Sequence, residues 1–174
     1  MNRALALGVV AGIASMTFVA PAEAAAPHTS NRPMIEVTQD DFTIPIPAGE
    51  ACDFPITFRG VGTATVKTQR QKVKTVISDA VAIITNTTTG KSVRLNADTV
   101  FVDHLRKDGS SRSTSSGNAF IWGDLTIKGQ PAPSGILMIQ GKSKFTIENY
   151  ADQESGVNFT QIKGKVTDVC TLID

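Results

Sequence analysis

One histidine, His104, lies among acidic residues in a pattern that could support chemistry. Asp98, Asp103 and Asp108 flank it along the chain. Imidazole and carboxylate groups can together bind a divalent metal ion, and a His–Asp pair could activate a serine. No serine lies in a G-x-S-x-G motif, however. We therefore interpret His104 as a surface residue at a strand end, predict no catalytic residue, metal or cofactor, and keep an enzyme centred on His104 as an alternative.

The chain has two cysteines, Cys52 and Cys170. They show no CxxC spacing and have no histidine nearby, which argues against a redox or metal site. Two cysteines in an exported protein usually form a disulfide. A disulfide requires Cα atoms within about 7 Å of each other. The predicted bond therefore brings an early strand and the last strand together.

A basic run, VKTQRQKVK at residues 66–74, could contact an anionic polymer such as a wall teichoic acid, or phospholipid head groups. The more ordinary interpretation is a solvent-facing hairpin. The net charge of the whole chain is only +1, so no large field attracts nucleic acid or an anionic membrane. With 6% aromatic residues, a large stacking surface for sugars or bases is also disfavoured. We predict no nucleic-acid partner.

Aromatic side chains could instead line a ligand site. If the chain closes into a barrel of about eight strands, the interior could hold a small apolar ligand. The ordinary interpretation is that these side chains only fill the core. The candidate lining residues are Phe54, Phe58, Phe101, Phe120, Trp122 and Phe145.

The elements that must position these residues follow a leader. Arg3, an apolar run over residues 4–20 and an A-x-A site ending at Ala24 are typical of a secretory signal peptide. We expect cleavage after Ala24, a flexible lead-in over residues 25–34 and one domain over residues 35–174. The Ala-rich composition of the signal peptide suggests a bacterial protein. In a bacterium the N-x-[ST] sites at Asn86 and Asn158 would mostly stay unglycosylated. No later stretch is apolar and long enough to span a bilayer.

After the lead-in the hydrophobic pattern has a period of two, which predicts β-strands. Apolar and polar residues alternate over residues 42–46 and again over residues 52–58. The second alternation puts Cys52 on the inward, apolar face of its strand. Further strands are expected over residues 76–86, 91–97, 99–106, 119–129, 135–149 and 158–173. The Ser-rich residues 110–118 are predicted to be a loop. Strands separated by short turns indicate an all-β, antiparallel barrel or sandwich, with the disulfide joining an early and the last strand.

Residues 42–58, FTIPIPAGEACDFPITF, and the late KVTDVC at residues 165–170 resemble a group of exported actinobacterial proteins of unknown function. The hairpin at residues 86–93 and the strand start GNAFIW at residues 117–122 are similar to that group as well. The resemblance implies a secreted β-barrel or β-sandwich domain and no particular activity.

The sequence therefore predicts a secreted, non-catalytic binding or structural module of the extracellular space or cell envelope. A carrier that holds a small apolar ligand inside a barrel is the first alternative. The enzyme centred on His104 is the second.

Overall fold

The computed structural model describes residues 33–123, 125–132, 135–151 and 156–174. Within them lie ten strands and one short helix. The strands are β1 (Met34–Ile46), β2 (Ile56–Gln69), β3 (Lys72–Asn86), β4 (Ser92–Asn96), β5 (Thr99–Leu105), β6 (Ser111–Ile121), β7 (Leu125–Ile127), β8 (Gln130–Pro131), β9 (Leu137–Ile147) and β10 (Val157–Asp168). The helix, α1, is Cys170–Ile173. The predicted all-β class is confirmed.

All ten strands belong to one sheet, in the order β1-β2-β3-β5-β6-β9-β10-β7-β8, with β4 beside the second half of β3. Neighbours run antiparallel except β7 and β10, which are parallel. The sheet ends at β1 and at β8, so the predicted closed barrel is wrong. The β-sandwich is not confirmed either, because the strands form a single sheet.

Prolines at the two ends of the sheet help to explain why it stays open. Pro45 lies in β1 and Pro131 in β8, which has only two residues. Proline has no N–H to donate to a neighbouring strand, and it is therefore confined to edge strands. Since both terminal strands contain one, neither is suited to closing the sheet along its whole length.

A line of irregular residues runs across the sheet, and we call it the crease. Gly117, Gly141 and Gly164 stand directly beside one another on β6, β9 and β10. All three have positive φ angles, of 121°, 132° and 148°. A Cβ on any of them would overlap a backbone carbonyl oxygen, that of Asp98, Lys163 or Gln140 respectively. The crease continues through Asp98, Asp79 (φ 54°) and the register shift at Gly62.

Asp98 holds the crease where β3 meets the β4–β5 connection. Its Oδ1 accepts a hydrogen bond from the Ala80 N–H at 2.8 Å, and its Oδ2 accepts one from the Asn96 amide at 2.8 Å. The backbone carbonyl of Asp98 accepts from the Asn118 N–H at 2.8 Å. The bond from Ala80, followed by that from Asn96, lowers the pKa of the Asp98 carboxyl.

The crease divides the sheet into two ends. The disulfide end comprises residues 42–61, 80–97, 118–122, 136–140 and 165–173. The hairpin end comprises residues 34–39, 63–78, 99–116, 142–147 and 157–163. Because the sheet bends back on itself, Phe58 on β2 reaches Trp122 (ring centroids 5.3 Å apart) and Phe120 (6.0 Å), which lie at the far side of β5.

The Ser-rich segment is a strand, so the loop predicted over residues 110–118 is wrong. β6 pairs with β5 on one side and β9 on the other. Ser111, Ser113 and Ser115 alternate inward and are buried, and Ser115 Oγ lies 2.7 Å from Ser143 Oγ on β9. The pattern has the period of a strand, but small side chains take the inward positions instead of apolar ones.

The predicted disulfide is confirmed. Cys52 and Cys170 are bonded, with Cα atoms 5.7 Å apart. Their predicted location in strands is wrong, because Cys52 lies in a bend before β2 and Cys170 begins α1. Around the bond, the buried Asn86 amide donates to the Ile173 carbonyl at 3.1 Å, and Lys91 Nζ donates to the backbone oxygen of Asp174.

The predicted signal peptide, residues 1–24, and most of the lead-in lie outside the described residues. Among the residues that the structure describes, no helix has the length and apolar character needed to cross a membrane.

Candidate functional site: a basic face on the hairpin end

The outer face of the hairpin end is the surface on which basic side chains collect. On β3, β5, β6 and β9 the inward positions hold buried residues such as Ile77, Phe101 and Phe145. Successive side chains of a strand point to opposite faces. The residues between the buried ones therefore face solvent, and they are mostly exposed.

The strand register places these outward residues in rows across the sheet. One row runs from Lys72 through His104 to Arg112. The next runs from Lys67 through Lys74 to Lys144, and a third ends with Lys142 beside Lys163. Rows are about 7 Å apart along a strand, and neighbouring strands are about 5 Å apart.

Seven cationic side chains share this surface, which we call the basic face: Lys67, Lys72, Lys74, Arg112, Lys142, Lys144 and Lys163. All seven are exposed. No Asp or Glu occupies an outward position in the three rows. Within the described part of the chain, none of the seven forms an ion pair. The cations are therefore available to an external anion.

Hydroxyl side chains and the valines Val76, Val100 and Val102 fill the spaces between the cations. Thr114 and Ser116 on β6 and Thr146 on β9 face outward in the same rows. Phe, Tyr and Trp are absent from the outward positions of these rows. The face can therefore attract and hydrogen-bond anionic groups, but His104 is the one aromatic ring in these rows.

Acidic side chains lie elsewhere, and several are engaged by the protein itself. Asp41 on β1 accepts two hydrogen bonds from the Arg59 guanidinium, at 2.9 and 2.8 Å, which lower the pKa of its carboxyl. Asp108, in the β5–β6 turn, accepts from the hydroxyl and backbone N–H of Ser110, and these bonds lower its pKa. The near-neutral net charge thus results from segregated charges.

The structure does not bring His104 and Asp103 together. They are consecutive on β5, so His104 is exposed on the basic face while Asp103 points inward and is 4% exposed. Asp98 lies at the crease and Asp108 in a turn. The described residues contain no group of three or more His, Cys, Asp or Glu that could hold a metal ion.

Asp103 belongs to a polar interior beneath the basic face. Tyr150 donates its hydroxyl to Asp103 Oδ2 at 3.2 Å. Burial raises the pKa of the Asp103 carboxyl, although hydrogen bonds from Ser113 and Tyr150 partly oppose this effect. Burial, followed by the nearby Asp103 charge, raises the pKa of Tyr150 as well. The pair connects β5 to the turn after β9, and the carboxyl of Asp103 in it is buried.

Two of the six predicted ligand-lining residues meet at a cavity. Phe58 and Phe120 border a space of about 20 Å³ beside Phe42. This volume holds about one water molecule, whereas ligand pockets usually measure several hundred Å³. Phe101, Trp122 and Phe145 are buried and Phe54 is half-buried, and these four do not border this cavity. The larger ligand site stays a prediction.

The N-x-[ST] sites differ in accessibility. Asn86 is 2% exposed, and its side chain contacts the Ile173 carbonyl and the N–H groups of Thr88 and Thr89. In the folded chain this side chain has no room for a glycan. Asn158 is half-buried on β10.

Sequence reasoning identified Lys67, Lys72 and Lys74 within the basic run but missed the rest of the basic face. The alternating lysines Lys142 and Lys144 were a signal, because they must share one face of their strand. What joins them to β3 is the strand order β3-β5-β6-β9, which the amino-acid sequence does not state.

Comparison with protein-family models, with curated proteins and with solved structures finds no match for this chain. The resemblance to exported actinobacterial proteins therefore stays a prediction. The basic face is the feature of the molecule that indicates a function.

Proposed function

We propose that the protein is a secreted, non-catalytic binding module of the extracellular space or cell envelope, and that its basic face holds an anionic polymer. The observation that carries the proposal is the set of seven exposed cations without a carboxylate among them. A concentrated positive surface attracts polyanions even when the whole protein is near neutral.

A polymer fits this face better than a lipid bilayer does. The sheet bends around its core, so its outer side is convex. A flexible chain can follow a convex surface, whereas a planar bilayer would touch only part of it. Proteins that lie on bilayers commonly insert Trp, Phe or Leu among the basic residues. The rows of the basic face contain none of these three, and their large exposed apolar side chains, Ile35 and Val37, lie on β1 at one end of the rows.

Secretion is supported by the disulfide, since such bonds persist mainly in oxidising compartments. The signal-peptide pattern of residues 1–24 supports it as well. Stability outside the cell and a surface for polyanions together fit a module that resides in the envelope or its surroundings.

The test is binding of the exported protein to poly(glycerol phosphate), with neutral dextran as the control polymer and phosphatidylglycerol vesicles as the alternative target. We expect binding to the phosphate polymer, and we expect it to weaken steeply with salt because bound cations release counterions. Binding to vesicles alone would contradict the proposal in favour of a membrane surface.

Matched charge reversals locate the binding surface. Lys74→Glu with Lys144→Glu changes two cations on the basic face. Arg94→Glu with Lys128→Glu makes the same change in net charge at exposed positions outside it. We expect the first variant to lose at least about tenfold in affinity and the second to stay close to the parent. Equal losses in both variants would show that only net charge matters, which would refute a specific basic face.

A further inference from the structure

Two long strand edges lie open in this sheet. Among the residues that the structure describes, β1 ends the strand order and has a neighbour on the β2 side alone. β10 is paired along its whole length with β9, but β7 covers its other side only at Val157–Phe159. Residues 34–37 and residues 163–166 are exposed without interruption. We call residues 34–39 the β1 edge and residues 161–168 the β10 edge.

The β1 edge lacks the devices that usually protect an open strand. Natural edges carry lysine, proline or a bulge that prevents another strand from adding to them. Residues 34–39 have none of these and pair with β2 in regular register. They instead expose apolar side chains: Met34 is 52%, Ile35 60% and Val37 61% exposed. Such an edge favours addition of a further strand.

The charges indicate which strand fits. The β1 edge carries Glu36 and has no Lys or Arg, whereas the other acids of β1 lie beyond this edge, Asp40 buried and Asp41 paired with Arg59. The β10 edge carries Lys163 and Lys165, and it also exposes an apolar side chain, Val166, at 43%. Pairing two β1 edges would bring like charges together, and so would pairing two β10 edges, which is unfavourable across strands.

We propose that the β1 edge of one copy pairs with the β10 edge of a second copy. The interface is heterologous, since each copy contributes a different surface. In a dimer, one copy keeps an unused β10 edge and the other keeps an unused β1 edge, so association continues beyond two chains unless a ring closes. Apart from Lys163, which belongs to both surfaces, this assembly uses different residues from the binding to a polyanion.

Sedimentation velocity from micromolar to submillimolar concentration tests the assembly. The exported protein is expected to form species larger than a dimer as concentration rises. Ile35→Lys with Val37→Lys blocks the β1 edge, and Lys163→Glu with Lys165→Glu reverses the charge of the β10 edge. Each variant alone is expected to stay monomeric, with its circular dichroism spectrum and melting temperature showing that it folds.

An equimolar mixture of the two variants distinguishes this interface from others. The first variant keeps its β10 edge and the second keeps its β1 edge, so one complementary pair remains. The mixture should form a dimer and nothing larger. A parent protein that is monomeric throughout would overturn the proposal. A β10-edge variant that still dimerises alone would contradict the proposal and point to β1–β1 pairing. A mixture that stays monomeric would also contradict the proposal.

Discussion

The disulfide end and the hairpin end are parts of one sheet, but they cover their strands differently. At the disulfide end Ala119, Phe120, Ile121 and Trp122 are buried in succession, so both faces of the chain are covered there. At the hairpin end β6 alternates strictly between buried serines and exposed Arg112, Thr114 and Ser116. On β6, a solvent-exposed face is present only where buried and exposed side chains alternate along the strand.

This difference separates the end that stabilises the fold from the surface that is proposed to bind a polyanion. The disulfide end contains the crosslink, α1 and the contacts of Phe58 with Phe120 and Trp122. The hairpin end carries the basic face on its outer side and buries a polar set with Asp103 on its inner side. Changes at the first end should therefore affect folding, and changes on the outer side of the second should affect binding.

Removing the disulfide is expected to have the largest effect. Cys52→Ala with Cys170→Ala opens a crosslink between residues 118 positions apart. The chain-entropy model then predicts a loss of about 4–5 kcal/mol in the free energy of unfolding. Guanidinium denaturation measures this loss, and hydrogen exchange should rise first in β4 and α1 rather than in β6.

Reduction of the parent protein provides the control for this variant. With reductant, the parent should unfold near the midpoint of the double alanine variant. A loss below about 1 kcal/mol, too small for a loop of this length, would contradict the view that the crosslink holds this end. If hydrogen exchange increased equally at the disulfide end and the hairpin end, the two ends would not differ in their dependence on the crosslink.

The crease is expected to be the next most sensitive feature. In Gly141→Ala the new Cβ would overlap the carbonyl oxygen of Lys163, and the φ angle is 132°. Gly90→Ala also has a positive φ, of 76°, but its Cβ would meet no atom within 4 Å. We expect about 1 kcal/mol for Gly90→Ala and at least about 3 kcal/mol for Gly141→Ala.

Thermal and denaturant unfolding of both variants measures this difference. If both substitutions lowered the free energy of unfolding equally, the positive φ angle alone would explain why position 141 is glycine. The close contact between strands at the crease would then not contribute.

Asp103 should produce a smaller effect that depends on pH. Burial raises the pKa of its carboxyl in the folded protein above the usual 3.8. Protonation therefore favours the folded state, and the contribution of Asp103 to stability is lost as pH rises through the raised pKa. Asp103→Asn cannot titrate, so its stability relative to the parent should increase as pH rises from the usual carboxyl pKa of 3.8 through the raised pKa of Asp103.

Asp108→Asn supplies a control of opposite sign. Hydrogen bonds from Ser110 lower the pKa of the Asp108 carboxyl, so Asp108 contributes stability above its unfolded pKa and loses it as pH falls. Urea midpoints measured from pH values below the usual carboxyl pKa of 3.8 up to neutral pH compare the two variants. A constant difference between Asp103→Asn and the parent would show that the buried carboxyl does not titrate as inferred.

Local pattern was enough to predict much of this fold. Alternation of apolar and polar residues predicted the strands around residues 42–46, 76–86 and 99–106. Two cysteines in a chain predicted to be exported indicated the Cys52–Cys170 bond. Strand β6 was missed because its inward side chains are serines, and their burial depends on the strands on either side. Barrel closure was predicted wrongly because strand order is a property of the whole chain.

The basic face shows the same limit. Lys72 and Lys74 are recognisable as one side of a strand, as are Lys142 and Lys144 of another. Only the register through β5 and β6 places the two pairs on one surface. Net charge misled the sequence interpretation, because it averages over acids that lie on other parts of the molecule.

Nuclear magnetic resonance titration with poly(glycerol phosphate) tests the central claim most directly. Adding the polymer at low salt should shift the backbone amide resonances of β3, β5, β6 and β9 around Lys72, Arg112 and Lys144. Resonances of β4, α1 and the residues around Phe58 should stay unchanged. Shifts concentrated at the disulfide end or around the cavity, or no shifts at all, would contradict binding at the basic face.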